Sequence, residues 1–413
     1  MDMKKTKGFQ ILILLLLLLW SALSASNEND FDIFLDAGMK IKNHINIYLP
    51  PFKYNLPYLY SPFFALLLSP LSWLPYGLIE FFWMLFMFYN LFDLWRMSKT
   101  YFNLHNLRNT QVNLWLGATI FYILTTTLFN ISQVQMTVFI CWILFKCIDL
   151  LENNKNILPA LLLALVINIK IMPIVLLPYL LYRKYYQAFS LTIIFSIILI
   201  FIPVLFLGFD YHALLLQSWW KVINPASNEN LLETEKLYQS LTSAIPVLLT
   251  DNTLYMGFKR NILNTSLQTA QVITNIFRVV LIMITLLFLS TKPFKKANTK
   301  LNIYWELCYI LLITPLIFPH QHKYAYFFLL PCFIYLIYFI IIKYKEFSKI
   351  LLTFIILITI PFTPIIGKDV IGGFLFDLFQ FYRIMVYASI LLIPVLYYCN
   401  PDKLNSNKIG DNI

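Results

Sequence analysis

The chain alternates long apolar runs with short polar breaks. A helix that crosses a bilayer needs about 20 mostly apolar residues. Runs of this character cover 9–25, 77–96, 112–129, 134–151, 157–169, 171–183, 187–208, 270–290, 303–319, 324–342, 348–366 and 378–399. They predict an all-α, polytopic integral membrane protein with about twelve transmembrane helices and no soluble domain. The runs 157–169 and 171–183 are short, so that pair is expected to stop short of a full crossing. The apolar segment 60–77 is broken by Pro62, Pro70 and Pro75. Counting it as a span would put Arg96 and Lys99 outside, so it reads as a helix lying in, or dipping into, the outer interface. No internal repeat or low-complexity tract is visible.

Composition agrees with this pattern. Sixty per cent of residues are hydrophobic and 12% are charged, against about 25% charged in soluble domains. The net charge of +11 does not point to nucleic acid, because the basic residues flank apolar runs. Lys4, Lys5 and Lys7, then Arg96, Lys99 and Arg108, Lys146 and Lys155, Arg183 and Lys184, Lys292, Lys295, Lys296 and Lys300, Lys343, Lys345 and Lys349, and Lys403 and Lys408 all fall on one side of the predicted topology. The positive-inside rule makes that side cytoplasmic and places both termini there. The basic start, apolar core and small residues near Ala22 and Ala25 also fit a cleavable leader; an uncleaved first span is the expectation. Cys141, Cys147, Cys308, Cys332 and Cys399 lie in or beside apolar runs without a CxxC pair, so they read as buried thiols.

Polar chemistry gathers on the predicted outer side. In Asn29–Tyr48, the residues Phe31, Phe34, Leu35, Gly38, Ile41 and Ile45 share one helical face, and Asp32, Asp36, Lys40 and Asn43 the other. This predicts an interfacial helix with Asp32 and Asp36 solvated. Asp30 precedes it, where it could cap the helix or act as a catalytic carboxylate. Lys170 sits within the apolar stretch 161–182. A lysine at the bilayer centre costs about 2.5–3.5 kcal/mol, so it is either functional or snorkels to the interface between two short helices. His320, His322 and Lys323 form a tight turn that could hold a metal, face a phosphate, or simply join two helices. The turn 130–135 is rich in amides, including Gln133. P-loop, GxGxxG, GxSxG and HExxH motifs are missing from the sequence, and an enzyme acting on the outer side has no ATP or nucleotide sugar to use. A carboxylate that takes a hydroxyl proton and fixed cations that steady a departing phosphate suit sugar transfer from a lipid phosphate.

At these residues the chain resembles glycosyltransferase family 87, of the GT-C superfamily. Asp30-Phe31-Asp32-Ile33-Phe34-Leu35-Asp36-Ala37 looks like the family's acidic-aromatic helix, and Tyr60 to Leu71 like its proline-rich segment, with Ser61 in place of a proline. Asn130–Gln135 resembles an Asn-Gly-Gln-x-Asn turn with its spacing altered by one. Lys170-Ile171-Met172-Pro173, Gln239-Ser240-Leu241 and Thr314 to His320 resemble three further motifs. The resemblance implies a GT-C fold over a single membrane domain 1–413: a catalytic module 1–209 with its outer loop 26–76, a second outer loop 210–269, and C-terminal helices 270–413. It implies Asp30 as general base; Lys170, His320, His322 and Lys323 near the donor phosphate; and Tyr60, Gln133, Gln239 and Trp219 against substrate. It further implies an inverting transfer of a mannose-like hexose or pentose from a polyprenyl-phosphate sugar to a lipid or glycan acceptor, without metal or other cofactor, on the outer face of a bacterial inner membrane. A secondary transporter and a non-catalytic lipid-glycan-binding membrane protein are the alternatives; the first usually shows repeats, and the second leaves Lys170 and the acids unexplained.

Overall fold

The computed structural model describes residues 17–23, 28–224, 237–251, 256–257, 259–289 and 293–405. The basic start of the chain, any leader cleavage point near Ala25, and the 225–236 part of the second outer loop lie outside these residues. The structure is 77% helical and has no strands among the described residues, so the fold is all-α.

In chain order the main helices are α1 (Asp30–Lys42), α2 (Pro62–Leu68), α3 (Tyr76–Lys99), α4 (Asn109–Ser132), α5 (Thr137–Glu152), α6 (Ile157–Ile169), α7 (Leu176–Tyr182), α8 (Tyr186–Phe201) and α9 (Phe209–Ile223). They continue as α10 (Leu241–Leu249), α11 (Leu267–Phe288), α12 (Lys300–Ile317), α13 (Leu330–Lys343), α14 (Lys349–Thr359), α15 (Lys368–Phe381) and α16 (Ile384–Tyr398). Among the described residues, six stretches are long and apolar enough to cross a membrane: α3, α4, 186–207, α11, α12 and 323–346. The pair α15 and α16, bent by 67°, makes a seventh if it acts as one span. The chain is therefore a multi-pass membrane protein.

The expected count of about twelve also included 9–25, most of which lies outside the described residues, and α5, α6, α7 and α14. These are 16, 13, 7 and 11 residues long, which at 1.5 Å per residue gives at most about 24 Å against a hydrocarbon core of about 30 Å. Hydropathy does not register where a helix stops, and these four helices end short of the length of those six stretches. The proline-broken segment after Tyr60 is likewise short: α2 has seven residues, with Pro62 at its start and the Ser61 side chain capping the Phe64 amide at 3.2 Å.

Contacts divide the chain into two compact units. The first holds Met1–Arg96, Asn130–Pro173 and Ser190–Val222; the second holds Met97–Phe129, Ile174–Phe189 and Ile223–Ile413. The units interleave along the sequence.

In the first unit α1 packs on α2. Asn29, not Asp30, is its N-cap: the Asn29 side chain accepts from the Phe31 amide at 2.8 Å, and Asp30 is the first helical residue. Acids in the first turn and Lys40 and Lys42 in the last complement the helix dipole. The expected apolar face is buried through Phe31, Phe34, Leu35, Gly38 and Ile41. Gly38 allows this close approach: a Cβ there would stand 3.1 Å from the backbone at Leu68 and Ser69, a tight contact.

The polar face differs from the expectation at Asp32, which is 7% exposed and accepts a hydrogen bond from the Tyr54 hydroxyl at 2.5 Å. The 46–60 loop folds back over it. Asp36 keeps partial exposure and pairs with Lys40 at 2.8 Å. α9 rests on the same loop: Tyr211 donates to the Ile45 carbonyl at 2.7 Å, Asn46 to the Ser218 hydroxyl at 3.1 Å, and the Trp219 indole to the Leu59 carbonyl at 3.4 Å.

In the second unit α12 and α13 are buried on almost every side. A helix apolar all round sits in a protein core or in a membrane, and ring donors tie these two into the bundle. Trp305 donates to the Leu396 carbonyl at 2.9 Å, Tyr309 to the Leu281 carbonyl at 2.6 Å, and Tyr335 to the Cys399 carbonyl at 2.5 Å. The buried charges Arg183 and Glu306 pair through two hydrogen bonds, and Tyr179 donates a third to Glu306 at 3.1 Å. All five cysteines are buried and free.

Candidate active site

The sequence-derived candidates fall in both units. Asp30, Tyr60, Lys170, Gln133 and Trp219 belong to the first, and Gln239, His320, His322 and Lys323 to the second.

In the first unit four side chains from four stretches converge. Asp30 Oδ2 accepts from the Gln135 amide Nε2. The Tyr60 hydroxyl donates to Gln135 Oε1 at 3.3 Å. Lys170 Nζ lies 5.4 Å from the centre of the Tyr60 ring, within electrostatic reach of Asp30. Each is held locally. Tyr60 is pinned by its neighbours: its carbonyl accepts from Tyr48 at 2.7 Å and its ring meets Phe34 at 4.5 Å. Ser61 bonds to the Asn168 carbonyl, which ties the Tyr60 segment to the end of α6. Lys170 follows α6 with extended backbone (φ −140°, ψ 129°), so the helix breaks at the lysine. Its ammonium therefore sits at a helix end, outside the segments long enough to cross.

The electrostatics follow from this enclosure. Burial pushes the Asp30 pKa above the ordinary 3.8, while the Gln135 hydrogen bond and the Lys170 charge pull it partly back. Burial lowers Lys170 to about 8, against the attraction of Asp30. Burial thus acts in opposite senses on the pair, raising the acid and lowering the base.

Gln135, rather than Gln133, carries the amide that reaches the acid. The cause is the way α4 ends. The Gln135 amide donates to the Asn130 carbonyl at 2.9 Å and the Val134 amide to the Ile131 carbonyl at 3.1 Å, the pairing of a Schellman cap. Val134 takes the left-handed conformation this cap needs (φ +48°). A left-handed L-residue costs about 1–2 kcal/mol, and a β-branched residue is unusual there. The turn thus stores strain while sending Gln135 inward, where it is 1% exposed. Trp219 supports the segment next to Tyr60 through Leu59.

In the second unit the His320 turn is built on aromatic contacts. His320 is left-handed (φ +56°). The Tyr238 ring packs edge-on against His322 at 4.8 Å and His320 at 5.7 Å, and His322 stacks on Tyr324 at 5.6 Å. Lys323 Nζ lies 4.1 Å from the Phe129 ring centre and 5.5 Å from that of Phe376. Gln239 is a buried knot beneath this turn: its amide donates to the Gln321 carbonyl at 2.6 Å, its side chain donates to Gln380, and its carbonyl accepts from Tyr326 at 3.0 Å. Among the described residues no three His, Cys, Asp or Glu side chains gather as a metal site.

A multi-pass helical membrane protein with a sheltered acid–amide–lysine cluster is suited to acid–base chemistry beside a lipid phase. The family model of glycosyltransferase family 87 matches residues 58–319, more than half of the chain, and the chain belongs to that family. It is a membrane glycosyltransferase. No curated protein and no solved structure matches it.

Proposed function

We propose that the protein is an inverting glycosyltransferase that moves a mannose-like hexose or a pentose from a polyprenyl-phosphate sugar to a lipid or glycan acceptor. The acceptor oxygen attacks the anomeric carbon as its bond to the phosphate oxygen breaks. The hydroxyl proton passes to Asp30, and the charge passes to the phosphate. In the first unit Lys170 serves the phosphate and Tyr60, Gln133 and Trp219 serve the sugar and acceptor; in the second unit His320, His322 and Lys323 are assigned to phosphate and Gln239 to substrate. The reaction needs no metal. It takes place on the outer face of a bacterial inner membrane with both termini cytoplasmic, an orientation supported by the distribution of Lys and Arg.

The observation that carries this reading is the Asp30 carboxylate. One oxygen is held by Gln135 and the other has no hydrogen bond among the described residues, and Lys170 stands within its electrostatic reach. The test is incubation of the purified protein with a panel of polyprenyl-phosphate sugars, scoring donor consumption and the product formed. Asp30→Asn should insert and fold, yet lose transfer by at least about 100-fold, the low end of general-base contributions. Retained transfer by that variant rejects Asp30 as base.

A further inference from the structure

We infer that Gln135 is the positioning residue of Asp30, clamped by Tyr60, and that the pair fixes which carboxylate oxygen receives the acceptor proton. The inference rests on the proposed role of Asp30 and deepens it.

The orientation of the Gln135 amide follows from donor and acceptor chemistry. An ionised carboxylate only accepts hydrogen bonds, so the group facing Asp30 Oδ2 is the amide Nε2. The carbonyl Oε1 then faces Tyr60, whose hydroxyl donates at 3.3 Å. Reversing the amide would set oxygen against oxygen at Asp30. Oδ2 is thereby committed, and Oδ1 is the oxygen with no hydrogen bond among the described residues. When Oδ1 takes a proton, Oδ2 still accepts from Nε2, so the arrangement persists through proton transfer and needs no rearrangement at that moment.

The backbone supports the same assignment. Gln135 is delivered by the strained cap at Val134, and strain retained at a functional site is justified by what it positions. Tyr60 is fixed in turn through its own backbone carbonyl and its contact with Phe34. The charged and titratable groups that act on Asp30 are Lys170 and Tyr60. On the elements packed against α1, Tyr54 is spent on Asp32 and Glu80 of α3 faces Asn29 and Asp32. Gln135 is therefore the one neutral donor aimed at this acid among the described residues.

The test reads Asp30 itself. Dicyclohexylcarbodiimide labels protonated carboxyls, so the pH midpoint of Asp30 labelling, followed by peptide mass spectrometry on the detergent-purified full chain, reports its ionisation without turnover. Gln135→Leu should move that midpoint up by about one pH unit, a tenfold change in proton affinity. With polyprenyl-phosphate mannose as donor, kcat should fall about tenfold or more while KM stays within about threefold, the split expected when only the transition state loses support. Tyr60→Phe removes one oxygen, keeps the ring beside Lys170, and should shift the midpoint the same way by a smaller amount. An unmoved midpoint in a folded Gln135→Leu protein overturns the inference, and an unmoved midpoint in Tyr60→Phe does so if Gln135→Leu fails to fold. A shifted midpoint in a protein that transfers no mannose upholds the positioning of Asp30 and counts instead against the proposed donor.

Discussion

Lys170→Met should leave the protein more stable and less active at once. Lys170 has its pKa pulled from 10.5 to about 8 by burial, after the favourable pull of Asp30 has been counted. At about 1.4 kcal/mol per pH unit, that depression represents up to about 3 kcal/mol spent on holding the cation near neutral pH. The side chain keeps some contact with water, which trims the figure to about 2 kcal/mol. Loss of the contact with the Tyr60 ring gives back about 0.5–1 kcal/mol. Methionine, similar in shape and uncharged, should therefore gain about 1–2 kcal/mol at pH 7.

The pH dependence has a definite sign. A group with a depressed folded pKa adds stability that is fully present above its unfolded value of 10.5 and is lost as pH falls through about 8. The wild type should thus become more stable from pH 8 to 10.5, and the advantage of Lys170→Met should fade over that window. Because all five cysteines are buried, a thiol-reactive fluorogenic dye reports unfolding in detergent. Sugar transfer, assayed in parallel, should fall at least tenfold. A variant that melts lower than wild type at pH 7, with no pH-dependent difference, would refute the reasoning and make Lys170 an ordinary satisfied structural cation.

Two further outcomes test the fold. Asn29→Ala removes the cap of α1 and should cost about 1 kcal/mol, seen as a lower melting midpoint with the transfer rate per folded molecule little changed. Arg183→Met leaves Glu306 buried without its main partner and should cost about 3–5 kcal/mol; the double variant Arg183→Met with Glu306→Leu should recover most of that loss, measured by the same dye assay.

The parts of the structure that depend on neighbours along the chain were legible in the sequence. The buried face of α1 follows from the spacing of Phe31, Phe34, Leu35, Gly38 and Ile41. Lys170 stood out because a cation in an apolar run has few innocent explanations. Features that depend on distant segments were not legible. The burial of Asp32 requires Tyr54, 22 residues away, at a left-handed backbone position (φ 53°). The approach of Gln135 to Asp30 requires a valine to adopt a conformation it disfavours, which no propensity would suggest. The available signal was the last amide of the Asn130–Gln135 turn, two residues beyond Gln133. The break inside 157–183 was hidden for a related reason: apolar content runs on through it, whereas the helix stops at Lys170.

The separation of 105 residues between Asp30 and Gln135 also bears on how the protein is made. α1 leaves the ribosome long before the end of α4 and the Lys170 turn exist. During synthesis the acid waits without the amide and the cation that later surround it. The cluster closes only after the intervening helices have inserted in the right order and orientation. An N-terminal fragment ending before Gln135 therefore lacks both the amide and the cation that pull the Asp30 ionisation back down, however helical it is.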